Sequence, residues 1–153
     1  MKTEFAQINL VMAWLWILLG FVSGLVLGLF FRDEKWLGGY AGRQRRMYRL
    51  GHISFFGLGA VNLLFWLTVQ EFALSGNLVP IASVAFALGA LAMPVCCVVM
   101  AHVPRAHFLF AVPVVSLILG GTLTLALIAG ELKATGPAIT TTLNDQPSTL
   151  NPP

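Results

Sequence analysis

The sequence predicts an all-α integral membrane protein, a bundle of four transmembrane helices with both termini outside. Three observations predict it. Of 153 residues, 58% are hydrophobic and only 10% charged, a balance too apolar for a water-soluble domain of this length. The apolar residues fall into four separate runs, each long enough to supply the roughly 20 residues that cross about 30 Å of hydrocarbon. The basic residues gather in the connection between the first two runs, which is the signature of a cytoplasmic loop.

The runs are residues 6–31, 51–72, 78–100 and 108–129, and together with their connections they make one membrane domain over residues 1–133. Lipid offers no partner to a backbone N–H or C=O, so each span must be a helix or belong to a closed barrel. Barrel strands alternate in polarity over about 10 residues, whereas these runs are continuously apolar for more than twice that length. The first run also far exceeds the apolar region of about 7–15 residues in a signal peptide, and is expected to remain as a span.

Orientation follows from charge. Arg32, Lys35, Arg43, Arg45, Arg46 and Arg49 lie between the first and second spans, and Arg105 lies between the third and fourth, on the same side. Lys2 and Lys133 lie on the other, so the expected arrangement is N-out and C-out in a bacterial-type inner (plasma) membrane. Ser75-Gly76-Asn77 makes the tight outer turn between the second and third spans. Residues 134–153, rich in Thr and Pro, carry too little apolar surface to offset their ordering entropy and are expected to form a flexible external tail. No internal repeat of transporter type is evident.

Packing is legible in small residues. Gly20, Gly24 and Gly28 recur every four residues on the first helix and form a groove for another helix. A smooth ridge of Ala82, Ala85, Gly89 and Ala92 on the third helix is the expected partner. On the second helix His52, Phe56, Gly59, Leu63 and Trp66 share a stripe that faces protein, with Asn62 at its margin. An amide at that depth is expected to bond across helices.

The three histidines are the chemical lead. His52 opens the second span, and His102 and His107 precede the fourth, so topology puts all three at one level on the cytoplasmic side. Two imidazoles on facing helices suit haem b, and neutral imidazole also suits copper or another transition metal. Gly59 would leave room for a flat ligand, with Arg49 and Arg105 to pair with its carboxylates. The competing reading makes them ordinary interfacial residues. Met93, Cys97 and Met100 share a face that would favour Cu(I), though Met and Cys are also common packing residues.

Arg43, Arg45, Arg46 and Arg49 are expected to contact anionic lipid headgroups or a partner subunit. No nucleic-acid module surrounds them, so nucleic acid is not an expected partner. Glu71 and Glu131 end two helices at similar depth, but nothing around them supplies a substrate pocket. No Walker loop, nucleophile elbow or zinc-protease motif occurs. The class that fits best is a non-enzymatic accessory or assembly component of a membrane complex, in contact with the bilayer and other membrane subunits. A b-type haem or metal-binding redox subunit is the rival class, and small-molecule or ion transport the third.

Overall fold

The computed structural model describes residues 4–144, with side-chain surroundings described for residues 6–134. It is helical throughout its long elements: α1 (Glu4–Phe30), α2 (Arg43–Glu71), α3 (Leu78–His102) and α4 (Ala111–Asn144). Among the described residues, four helices are long and apolar enough to cross a membrane. Short 3₁₀ turns at Trp36–Gly38 and Pro104–Phe110 join α1 to α2 and α3 to α4.

Two boundaries differ from the sequence reading. α2 starts at Arg43 rather than near 51, because the arginines end an apolar run without ending a helix. Arg is a good helix former, and Gly42, with φ −57° and ψ 136°, supplies the non-helical start. The backbone of α4 continues to Asn144, into the stretch read as a tail, while residues 145–153 of that expected tail lie outside the described residues.

The helices run up and down, and α3 sits at the centre. It packs on α1, α2 and α4, and 44% of its most apolar stretch is buried, against 17% for the fourth span. α4 packs chiefly on α3 and the turn before it, so the helices do not close into a ring. Beside α4 runs an open groove lined by Phe65 and Thr68 of α2 and by Gly121 and Thr124 of α4. The core near the α2–α3 turn joins Ala6, Phe65, Val69, Leu74, Val79 and Phe86.

The connection from α1 to α2, at the arginine end, contains the sharp backbone its residues permit. Gly38 and Gly39 take φ 79° and 81°, and a Cβ at Gly42 would collide with the Leu37 carbonyl. Chain reversal is therefore tied to the run Gly38-Gly39-Tyr40-Ala41-Gly42.

Candidate functional site

His52 lies on the face of α2 that meets α1. A Cβ placed at Gly24 would stand 2.8 Å from His52 Cε1, so the imidazole occupies the space that the missing side chain leaves. Its Nδ1 lies 2.9 Å from Ser23 Oγ, and that hydroxyl donates its own proton to Gly20 O at 3.0 Å. Ser23 Oγ can therefore accept from an Nδ1–H while it donates to Gly20 O. Phe56, one turn along, meets the His52 ring edge-on at 5.5 Å and fills Gly20 in the same way.

His102 is held elsewhere. Its Nε2 pairs with the Tyr48 hydroxyl at 3.0 Å at the arginine end, where His102 is exposed and Tyr48 half-buried. His107 is exposed on the 3₁₀ turn that leads into α4. Among the described residues no group of three or more His, Cys, Asp or Glu side chains gathers to hold a metal. A shared level does not bring side chains to a shared point: His52 turns to α1, and His102 to Tyr48. The space expected beside Gly59 for a flat ligand is also taken, since a Cβ there would meet Ala13 O and Ile17 Cγ1 of α1 at 3.1 Å. Arg49 lies over Tyr40 at 4.6 Å, and Arg105 is exposed.

The glycine groove takes α2, not the small ridge of α3. Gly20 and Gly24 hold Phe56 and His52, whereas nothing approaches within 4 Å of a Cβ at Gly28. The ridge residue Gly89 instead faces α4, where Leu117 would lie 2.7 Å from its Cβ. Small residues mark where helices approach, but rings as large as Phe and His can be the knobs that fill them.

The arginine run divides into different tasks. Arg45 is only 5% exposed; its guanidinium stacks 4.3 Å from the Phe31 ring and donates to Phe31 O at 3.3 Å. It is not a lipid-facing residue, because it folds over the end of α1, where free carbonyls carry partial negative charge. Arg43 donates to Met100 O in the last turn of α3. Two arginines from the first turn of α2 thereby cap the ends of both neighbouring helices. Arg46 is exposed.

Asn62 is 1% exposed and accepts from Asn9 Nδ2 at 2.8 Å, while its own Nδ2 donates to Leu58 O at 2.8 Å. Asn9 also donates to Ser83 O at 3.3 Å and accepts from Ser83 Oγ. One fully buried amide thus ties α1 to α2 and α3. Sequence reasoning named Asn62 but missed Asn9, which sits so near the start of the first span that it reads as an interfacial residue. The signal that would have found it is chemical: a buried amide in hydrocarbon needs a partner, and Asn9 is the only other Asn within the four apolar runs.

Two further polar contacts were also missed. Pro94 has no N–H and leaves the carbonyl of Ala90, four residues earlier, outside the helix ladder. Trp16 Nε1 donates to that carbonyl at 3.0 Å. Leu109 O, at the end of the 3₁₀ turn before Pro113, accepts from the Ala111 N–H and also lies 3.3 Å from Cys96 Sγ as donor. The acceptor that Pro94 frees thus finds a side chain on a neighbouring helix, as hydrocarbon surroundings require. Cys96 is therefore engaged in packing, and Cys97 is buried against Gly51.

An apolar cleft lies on the arginine side of the Trp16–Ala90 contact. It measures about 340 Å³, between Val22 and Val26 of α1, Gly51 and Phe55 of α2, and Pro94 and Val98 of α3. No family model, curated protein or solved structure matches the chain. The site is therefore read from its own chemistry.

Proposed function

We propose that the chain is a multi-pass inner-membrane protein with both termini outside, acting as a non-enzymatic accessory or assembly component. The orientation rests on the seven basic residues at the arginine end and the two at the other. The observation that carries the functional reading is how the buried polar side chains are used. Asn9, Asn62 and Ser83 bond one another, Trp16 serves a carbonyl that Pro94 releases, and His52 is engaged by Ser23. These groups hold helices together. Outward, α1 presents Trp14, Leu18, Phe21, Leu25 and Leu29, and α4 presents Val115, Ile118 and Leu125, to lipid or to the helices of another subunit.

Two experiments test this reading. Single cysteines in a Cys96→Ser, Cys97→Ser background keep the hydroxyl donor to Leu109 O and allow labelling from either side. A label at Gly42 should react from the cytoplasm and one at Asn77 from outside; the reverse pattern would overturn the orientation. Oxidised and dithionite-reduced optical spectra of the solubilised native protein, with metal analysis, should show no haem band and no stoichiometric metal. A haem spectrum lost in His52→Ala would overturn the non-redox reading.

A further inference from the structure

The cleft beside Pro94 is lined by carbon. Of the polar side chains around it, Ser23 meets His52 Nδ1 and the Tyr48 hydroxyl pairs with His102. Apolar spaces of this kind do not take water. Its rim residues Val22, Val26 and Val98 are exposed, so within a bilayer the cleft opens sideways to lipid. Its volume of about 340 Å³ lies in the range of ligand sites, about 300–1,000 Å³.

The charge at its mouth says which lipid. Arg43 reaches from α2 to Met100 O on α3, just past Val98, while Arg45 reaches the other way to Phe31 O on α1. Neither arginine lines the cleft itself; they reach the arginine-end termini of α3 and α1, two of the helices that bound it. Arg45 is buried, but Arg43 is exposed and uses one of its five N–H donors on the carbonyl. Basic pockets between membrane helices at a leaflet surface recognise anionic headgroups. We propose that the cleft holds one acyl chain of an anionic phospholipid whose phosphate is received by Arg43. The lipid then fills the gap between α1 and α3 beyond the point where Trp16 closes it.

The test is lipid retention by the full chain. Protein in nanodiscs of equal phosphatidylglycerol and phosphatidylcholine, matched in acyl chains, is extracted into mild detergent, and bound lipid is measured by native mass spectrometry. Phosphatidylglycerol should remain bound in preference to phosphatidylcholine. Arg43→Gln should reduce that preference about fivefold, the scale for one basic residue at a membrane surface, and Arg43→Lys should keep most of it. Val98→Trp, which fills the cleft from its exposed rim, should displace the lipid at an unchanged elution volume. Equal retention of both lipids by the wild-type protein would overturn the headgroup assignment. Retention of neither, or retention unaltered in a folded Val98→Trp protein, would overturn the cleft as the site. The wild-type comparison stands even if a variant fails to fold.

Discussion

The two ends of the bundle solve the same problem differently. Near the α2–α3 turn, Asn9, Asn62 and Ser83 are 0–1% exposed and bond one another, and the helices close around them. At the arginine end the polar groups are larger and are laid over helix ends, Arg45 on α1 and Arg43 on α3, with His52 lodged on Gly24 and a cleft left open beside it. A small amide node allows close packing in hydrocarbon. Long cationic side chains suit the boundary, where their heads stay near water and their stems cover apolar surface. The comparison teaches that polar residues in a membrane helix are first candidates for holding it, and only then for chemistry.

The largest expected effect would break the open end. Gly24→Leu drives a branched side chain into the His52 ring and should destabilise the fold by about 3 kcal/mol, measured by reversible unfolding in mild detergent. Gly24→Ala should cost less, because His52 can move at the loss of its Ser23 bond. Next comes the closed end. Asn9→Ala removes bonds to two helices and should cost about 2 kcal/mol by the same assay, given about 0.6–1.7 kcal/mol for each interhelical bond. A cost near zero would mean that the node contributes nothing.

Arg45→Met keeps the stem but removes the charge over the end of α1. It should lower stability by about 1 kcal/mol. The smallest effect sharpens the comparison within the glycine groove. Gly28→Ala meets nothing within 4 Å, so it should be neutral or stabilising by up to about 1 kcal/mol through helix propensity alone. If Gly28→Ala were as damaging as Gly24→Leu, the groove would be filled along its whole length.

Hydropathy made the four spans legible, since length and continuous apolarity suffice to call a helix in lipid. Helix ends were less legible: the polar first turns of α2 form no part of an apolar run, yet their backbone is helical. At the site, sequence spacing placed Gly24 and His52 on packing faces but assigned the wrong partner to the groove. Spacing along one helix says nothing of which neighbour rotates to meet it. The histidines were grouped by depth alone, and depth leaves azimuth free. Trp16 was illegible as a donor because its acceptor is free only where Pro94 interrupts a ladder, and Cys96 because pairing it with Leu109 O requires the helix contacts themselves.

The claim that polar side chains serve the helices is tested most directly by a double-mutant cycle on Trp16 and Pro94. Trp16→Phe leaves Ala90 O without its donor, whereas Pro94→Ala restores a backbone N–H to that same carbonyl. Loss of indole volume is common to both backgrounds and cancels in the cycle. The account predicts that Trp16→Phe costs about 1 kcal/mol less in the Pro94→Ala protein than in the wild type. Equal costs in the two backgrounds would contradict it.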